Sequence, residues 1–253
     1  MSEQQVQDSA SAGANAGGTG SGVPAGMARL KTVEAVLFDL DGTLVDTIPH
    51  ILASFRHATN EVFGAPLADE VLMEHVGMPL DRQMRFFTAE EDTARRLLVA
   101  YRTFNHATHD EMARLYPNTV AVLEELTAAG LPMGVVTSKS RMMAERAIRL
   151  FNLGGYFSAI VAADDTKTHK PDPEPVLWGA HLLNADPLRC VYVGDSPADI
   201  AAGKGAGAAT VGATWGVSDR ARIEDAKPDA MITDIGELPE LLGVVNGTRR
   251  TTG

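Results

Sequence analysis

The stretch that decides the fold is 33-VEAVLFDLDGT-43, an apolar run that ends in two aspartates and a glycine. Its first six residues are rich in β-branched and aromatic side chains, and such runs are typical of buried strands in a parallel sheet. Asp39, Asp41 and Gly42 mark the end of this strand and the start of a turn. Ligands of open α/β sheets bind beyond the carboxyl ends of the strands, so the two aspartates lie where a site is expected.

Similar apolar runs recur along the chain and alternate with helical patterns. The strand candidates cover 133–136, 159–161, 190–193 and 208–211, with a weaker one at 230–232. Apolar residues spaced three and four apart predict helices over 119–129, 141–151, 173–183 and 197–206. This alternation predicts an α/β protein with a Rossmann-like, doubly wound parallel sheet.

The segment from 48 to 114 interrupts this alternation. Its pattern is helical, with breaks near 64–66, 77–79 and 88–90. A helical insert of this length, placed directly after the first strand, predicts a second domain. Its joints to the α/β core are expected near 46–49 and 115–118.

The two ends of the chain differ from the rest in composition. The first thirty residues are rich in Gly, Ala, Ser and Gln and lack a basic start followed by an apolar run, which predicts disorder rather than a signal peptide. The predicted division is a disordered tail over 1–30, a core over 31–47 and 115–243, the helical insert over 48–114 and a flexible tail over 244–253.

Charge and cysteine content narrow the classes of partner. A formal net charge of −11 argues against nucleic acid and anionic membranes, because both select basic surfaces. No apolar stretch approaches the roughly 18 residues that a membrane-spanning helix needs. The single cysteine, Cys190, lies in an apolar run, which predicts a packed core residue and excludes an intramolecular disulfide. These features predict a cytoplasmic protein, either a monomer or a homodimer.

Polar residues follow the predicted strands at the points where the strands end. Thr137 and Ser138 follow the second strand, and Asp195 follows the fourth, with Asp199 one helical turn later. Lys170 precedes a proline-rich helix start. In a parallel sheet these groups converge on one edge with Asp39 and Asp41, which collects carboxylates, hydroxyls and an ammonium in one place.

Such a set suits phosphoryl transfer. A carboxylate such as Asp39 can attack phosphorus when a divalent cation and cationic side chains neutralise the developing charge. Asp39 and Asp195 supply the hard oxygen ligands that Mg²⁺ prefers. Asp41 can protonate the leaving oxygen and later activate water, while Lys170 and Thr137 can hold the transferring phosphoryl group.

Four motifs in order resemble those of the haloacid-dehalogenase superfamily of phosphatases. They are 38-FDLDGTLVD-46, 136-VTS-138, 170-KPDP-173 and 194-GDSPAD-199, and the resemblance covers about 33–242. It implies that Asp39 is a nucleophile that forms an aspartyl-phosphate and that Asp41 is the acid–base. It also implies Mg²⁺ held by Asp39, Asp195 and the Asp41 carbonyl, phosphate bound near Gly42 by Thr137, Ser138 and Lys170, and a helical cap in the inserted segment.

Three aspartates have alternative explanations. The sequence 196-SPAD-199 has the form of a helix capping box with proline at the first helical position, so Asp199 is either a cap or a metal ligand. Asp172 stands before Pro173 and is expected to cap a helix. Asp46 is expected to close the turn into the cap and orient the hinge.

The cap is expected to select the substrate. Arg102, His106 and His109 are spaced to share one helix face, where they could contact a second phosphate or form a solvated polar surface. The stretches 101-YRTFNH-106 and 169-HKPDPEP-175 resemble the inorganic-pyrophosphatase branch of the superfamily. The loop 77-GMPL-80 resembles that branch and phosphoglycolate phosphatases alike.

These observations predict a Mg²⁺-dependent phosphohydrolase for a small phosphorylated metabolite. Pyrophosphate is favoured, and phosphoglycolate or another small phosphomonoester is the alternative. A phosphosugar mutase would be expected to carry a basic cap loop, and a dehalogenase would not need Asp41. A catalytically silent phosphate-binding module would be favoured by a missing motif residue, yet every motif position is filled.

Overall fold

A computed structural model describes residues 25–249 of the chain. The strands, in chain order, are β1 (Ala35–Phe38), β2 (Val45–Asp46), β3 (Arg114–Leu115), β4 (Met133–Val136), β5 (Phe157–Val161), β6 (Cys190–Gly194), β7 (Ala209–Ala213), β8 (Ala230–Ile232), β9 (Val244–Val245) and β10 (Thr248–Arg249). The α-helices are α1 (Ala25–Leu30), α2 (Ile48–Phe63), α3 (Asp69–Met73), α4 (Leu80–Phe87), α5 (Glu91–Met112), α6 (Thr119–Ala128), α7 (Arg141–Leu150), α8 (Glu174–Leu182), α9 (Pro197–Gly205), α10 (Arg220–Asp225) and α11 (Leu238–Leu241).

The central sheet confirms the predicted doubly wound α/β class. Its strand order is β5-β4-β1-β6-β7-β8, and every neighbouring pair is parallel. At the end of β1, Phe38 lies opposite Val135 of β4 and Val193 of β6. The residues that follow these three strands therefore emerge side by side at one edge of the sheet.

Helices cover both faces of the sheet, which explains why its strands lack polar alternation. Val36 and Phe38 of β1 belong to one buried apolar cluster, and Ala35 and Leu37 belong to another, because successive side chains of a strand point to opposite faces. Helices α6, α7 and α11 contribute to the first cluster, and α8 and α9 contribute to the second.

The inserted segment folds as helices α2–α5 with an apolar cluster of its own, centred on Phe55, Leu97 and Tyr101. Helix α2 ends at Gly64, whose positive φ of 84° suits a residue without a side chain. At the base of the insert, β2 and β3 form a short antiparallel ribbon that pairs Val45 with Leu115. This ribbon brings the two ends of the insert together where they join the core.

The cysteine prediction is confirmed. Cys190 is fully buried within the cluster beneath α8 and α9, and its Sγ contacts the Asp186 carbonyl at 3.4 Å. Burial, with a smaller effect of Asp186 and Glu34, raises the pKa of the thiol to about 11. The thiol is therefore protonated at neutral pH and acts as a small apolar residue.

The predicted tails extend too far into the folded chain at both ends. Ala25–Leu30 forms α1, and Leu30 is fully buried in the core. Val244–Arg249 includes the β9–β10 hairpin, in which Val244 is buried. The apolar residues that these short segments bury hold them against the core. Flanking glycines and polar residues make those apolar residues hard to recognise in the sequence. The rest of the predicted tails, 1–24 and 250–253, lies outside the described residues.

No helix within residues 25–249 is both long enough and apolar enough to cross a membrane.

Candidate active site

Three aspartates meet at the carboxyl edge of the sheet. Asp39 follows β1, Asp195 follows β6 and Asp199 lies in the first turn of α9, and an oxygen of each lies within 4.8 Å of the others. All three are buried. Burial raises the pKa of Asp39 to about 7 against the opposing effect of Lys170, and Asp199 adds to the rise. Burial, Asp199 and Asp39 likewise raise the pKa of Asp195 well above its usual range.

Two glycines enclose the Asp195 carboxylate. A Cβ placed on Gly42 or on Gly216 would come within 2.1 Å of Asp195 Oδ2, so both positions exclude a side chain. Gly42 also has a φ of +82°, which glycine adopts without strain. Its amide donates to the Val45 carbonyl at 2.9 Å, so the phosphate-binding role predicted for Gly42 stays a prediction, and this amide already has a partner within the chain. Gly42 lets the β1 turn approach Asp195.

Lys170 provides the ammonium beside the nucleophile candidate. Its Nζ lies 3.0 Å from Asp39 Oδ1, 2.6 Å from Asp199 Oδ1 and 3.1 Å from the Tyr192 hydroxyl. Burial lowers the pKa of Lys170, but Asp199 and Asp39 outweigh it and the net shift is upward. The side chain is therefore held as a buried cation next to Asp39. Tyr192 lies in the apolar run of β6, so no pattern in the sequence indicates its part in this contact.

Asp199 serves as a helix cap and as a partner of Lys170. Its Oδ2 accepts from the Ser196 amide at 3.0 Å, and its own amide donates to Ser196 Oγ at 3.3 Å, which forms the predicted capping box. The Ser196 hydroxyl also donates to Oδ2 at 2.5 Å. Asp199 Oδ1 accepts from Lys170 and faces the Tyr192 hydroxyl at 3.0 Å. Because both oxygens already face protein donors, the geometry favours positioning of Lys170 over direct metal ligation.

Asp41 lies in an ion pair that no motif in the sequence predicts. Lys139 Nζ donates to both carboxylate oxygens, at 2.7 and 2.8 Å, and the Thr47 hydroxyl donates to Oδ1 at 2.6 Å. Burial raises the pKa of Asp41, but the Lys139 charge and the hydrogen bonds outweigh it and the pKa falls below its usual range. The available signal was the position of Lys139 two residues after Thr137, at the end of β4.

Several polar atoms lack a hydrogen-bond partner within the part of the chain that the structure describes. Those at this edge include Asp39 Oδ1, which lies at ion-pair distance from Lys170, and Ser138 Oγ. Thr137, which is also buried, follows β4 next to Asp39. Buried polar atoms are rarely left unpaired, so these groups fit a phosphate or a cation as the missing partner.

A cavity between the core and the insert joins these groups. Its core side includes Asp39, Asp41, Thr137, Ser138, Lys170 and Asp195, and its insert side includes Met78, Arg102, Asn105 and His106. Arg102 and His106 therefore lie within the same cavity as Asp39. Asp199 lies outside this lining, consistent with its contacts to Lys170 and Ser196.

His109 does not share the cavity with Arg102 and His106. Its ring is fully buried, packs edge-on against His50 of α2 at 5.7 Å, and contacts Asp110 Oδ1 at 2.8 Å. Arg146 of α7 donates to the same Asp110 oxygen at 2.9 Å and to the His106 carbonyl at 2.7 Å. These contacts tie α5 of the insert to the core beside the cavity.

Two further aspartates from the motif segments, Asp172 and Asp46, lie outside the cavity lining. Asp172 is not the N-cap of α8, which is Pro173, but lies one residue before it, and its Oδ1 accepts from the Glu174 amide at 2.9 Å. Asp46 pairs with Arg114 in the β2–β3 ribbon, at the joint between core and insert.

Known proteins are similar to this chain over most of its length, including the residues at the carboxyl edge of the sheet. Residues 36–213 match the family model described as haloacid dehalogenase-like hydrolase. Pyrophosphatase PpaX of Bacillus velezensis is 36% identical over 214 residues, which cover 85% of this chain and 98% of the relative. Pyrophosphatase PpaX of Bacillus mycoides is 34% identical over 215 residues, with 85% and 99% covered.

Solved structures of phosphatases in this family have a similar fold. A predicted phosphoglycolate phosphatase from Haemophilus somnus superposes with a TM-score of 0.78 at 26% identity, covering 83% of this chain and 98% of that one. The family match begins within β1, ends with β7 and includes Asp39, Thr137, Lys170 and Asp195. The chain belongs to the haloacid dehalogenase-like hydrolase family.

Proposed function

We propose that the protein is a magnesium-dependent phosphohydrolase that acts through an aspartyl-phosphate on Asp39. The observation that carries this proposal is the buried Asp39 carboxylate, which borders the cavity, has an oxygen without a hydrogen-bond partner among the described residues, and lies 3.0 Å from Lys170. A carboxylate beside a fixed cation can attack phosphorus, since the cation stabilises the charge on the phosphoryl oxygens.

The donor set fits Mg²⁺. Asp39, Asp195 and the main-chain carbonyl of Asp41 would hold the ion, with Asp199 behind Lys170 rather than on the metal. When bound, Mg²⁺ would neutralise the carboxylates and the phosphoryl oxygens. The raised pKa values of Asp39 and Asp195 support this assignment, because they reflect carboxylates that lack sufficient positive charge nearby.

The side chains divide the reaction between them. An Asp39 oxygen forms a bond to phosphorus while the bond from phosphorus to the leaving oxygen breaks. Lys139 and Thr47 hold Asp41 as a carboxylate before substrate binds, so Asp41 takes up a proton on binding and then gives it to that oxygen. Asp41 then takes a proton from water, whose oxygen attacks the phosphorus of the aspartyl-phosphate, releasing phosphate and restoring Asp39. Lys170, Thr137 and Ser138 hold the phosphoryl oxygens during both steps.

Pyrophosphate is the substrate we propose. Two observations support it: the PpaX relatives are pyrophosphatases by name, and Arg102 and His106 line the cavity that contains Asp39. 2-Phosphoglycolate is the second candidate, because the similar Haemophilus somnus structure is described as a predicted phosphoglycolate phosphatase. Since the chain belongs to a hydrolase family, the alternative of a catalytically silent module is not retained.

A phosphate-release screen tests the proposed substrate. The purified protein is assayed with Mg²⁺ against pyrophosphate, 2-phosphoglycolate, sugar phosphates and nucleotides. We expect the highest kcat/KM for pyrophosphate. A higher value for 2-phosphoglycolate would select the second candidate, and a preference for a sugar phosphate or nucleotide would contradict both.

Removal of the metal should stop turnover. Treatment with chelator is expected to abolish phosphate release until Mg²⁺ is restored, because the buried carboxylates otherwise repel the phosphoryl oxygens. Mg²⁺ should also raise the melting temperature, since an ion that binds only the folded state stabilises it. Full activity in metal-free buffer, with no shift in melting temperature, would refute the ligand assignment.

Arg102 and His106 should affect pyrophosphate more than a simple ester. We expect Arg102→Gln and His106→Asn each to raise KM for pyrophosphate by about 10-fold or more, the effect of one hydrogen bond to a charged group. The KM for p-nitrophenyl phosphate, which lacks the second phosphate, should change much less. The exposed Arg96→Gln on the same helix provides a charge-matched control. Equal effects on both substrates would indicate a solvated polar surface instead.

Cellular location and assembly follow as further proposals. We infer a cytoplasmic enzyme from two features. The single cysteine, Cys190, is a buried free thiol, which fits a reducing compartment, and the net charge of the chain is acidic. We propose a monomer or a homodimer. Light scattering during size-exclusion chromatography measures the assembly, and fractionation of the native host measures the location.

A further inference from the structure

Lys139 is a cation at the reaction centre that the proposed steps do not use. It follows β4, lines the cavity beside Asp41, and its side chain is only 10% exposed. A lysine paired with a carboxylate is usually an exposed surface residue that contributes little to stability. Lys139 differs because its ammonium contacts the carboxylate that must reach the leaving oxygen.

The position of Asp41 places Lys139 next to the leaving group. Asp41 must contact the oxygen that departs from phosphorus, and Lys139 Nζ lies 2.7 and 2.8 Å from the two Asp41 oxygens. Any group bonded to the departing oxygen therefore comes within reach of this ammonium. The flexible stem of lysine and its three rotatable donors allow it to exchange one anion for another without movement of the backbone.

Two of the other basic side chains that line this cavity, Lys170 and His106, offer no free positive charge to a leaving group. Lys170 is held between Asp39 and Asp199 on the nucleophile side. Burial, followed by Arg146 and Arg102, lowers the pKa of His106, so its imidazole is neutral at pH 7. Lys139 on the core side and Arg102 on the insert side are thus the charged donors available to a leaving group in this cavity.

We propose that Lys139 is the residue by which this enzyme selects substrates whose leaving group carries its own negative charge. On binding, the Lys139 ammonium exchanges its contact with Asp41 for the anionic oxygens of the leaving group. Pyrophosphate offers a phosphate at that position, and 2-phosphoglycolate offers a carboxylate. The leaving group of a simple phosphate ester has no charged substituent for Lys139 to bind. This inference rests on the proposed phosphohydrolase function and deepens it.

The test is a comparison of two substrates in matched variants. Lys139→Met should lower kcat/KM for pyrophosphate relative to that for p-nitrophenyl phosphate by about 10- to 100-fold, the effect of losing one charge-assisted hydrogen bond. Lys139→Arg should restore most of the ratio, because the positive charge is kept. The exposed Lys167→Met removes the same charge outside the cavity and should leave both rates unchanged. Equal losses on both substrates, or no loss, would overturn the proposal.

A measurement on the wild-type protein covers the case in which Lys139→Met does not fold. Amine-reactive labelling followed by peptide mass spectrometry reports the accessibility of Lys139. Imidodiphosphate, which resists hydrolysis, should protect Lys139 in the presence of Mg²⁺, whereas methyl phosphate should not. Unchanged labelling with imidodiphosphate would overturn the proposal.

Failure of the proposed substrate can be told apart from failure of this inference. If the wild-type protein hydrolyses p-nitrophenyl phosphate and 2-phosphoglycolate but not pyrophosphate, the substrate proposal is wrong. The same ratio is then measured with 2-phosphoglycolate in place of pyrophosphate. A preserved selectivity for the anionic leaving group in Lys139→Met would then reject the role of Lys139 alone.

Discussion

Asp39→Asn is expected to reduce phosphate release by a factor on the order of 10⁵ or more, as expected when a covalent nucleophile is lost. The amide has the same shape as the carboxylate but lacks the charge and the nucleophilic oxygen. Steady-state phosphate release with pyrophosphate and Mg²⁺ measures the loss. The variant should stay folded, because burial and Asp199 already disfavour a charged Asp39.

A matched substitution separates the chemistry from a general effect of Asp→Asn exchange. Asp172 is exposed, and its carboxylate contacts Thr168 and the start of α8 rather than the cavity. Asp172→Asn should therefore retain wild-type activity. Substantial turnover by Asp39→Asn would exclude Asp39 as the nucleophile.

Asp41→Asn is expected to lower turnover by ~10²–10⁴-fold, the usual contribution of a general acid–base group. Because p-nitrophenolate leaves without much assistance, the first step should persist with p-nitrophenyl phosphate while attack by water becomes slow. A rapid release of about one equivalent of p-nitrophenolate per enzyme, followed by a slow steady rate, is the expected trace, since burst kinetics report a covalent intermediate.

Asp46→Asn is the control for Asp41→Asn. Asp46 is the next carboxylate along the same segment, and it lies in the β2–β3 ribbon at the joint between core and insert. We expect Asp46→Asn to turn over substrate without a burst. Equal losses in the two variants would argue that Asp41 acts through the hinge rather than as the acid–base group.

The sequence predicted the sheet well because its strands are buried on both faces. Continuous apolar runs followed by Asp39, Thr137 or Asp195 mark both the strand and its carboxyl end. The β2–β3 ribbon was not predicted, since two-residue strands have no periodicity. The β9–β10 hairpin falls within a predicted tail because Val244 alone supplies its deepest buried apolar contact.

The positions of the proposed reacting groups were predictable for the same reason, and the side chains that they contact were not. Lys139 and Thr47 follow residues of the recognised motifs, but their contacts with Asp41 depend on how two chain segments fold against each other. Tyr192 was hidden in an apolar strand. His109 shares a helix face with Arg102 by spacing, yet α2 covers that end of the face through His50.

The most direct test of the covalent mechanism is to trap the phosphorylated enzyme. Wild-type protein and Asp41→Asn are mixed with substrate and Mg²⁺, quenched in acid and treated with borohydride, which reduces an aspartyl-phosphate to homoserine. Peptide mass spectrometry then locates the reduced residue. The mechanism proposed here predicts homoserine at position 39, in greater yield in Asp41→Asn. Homoserine at another position, or none in an enzyme that is turning over, would contradict it.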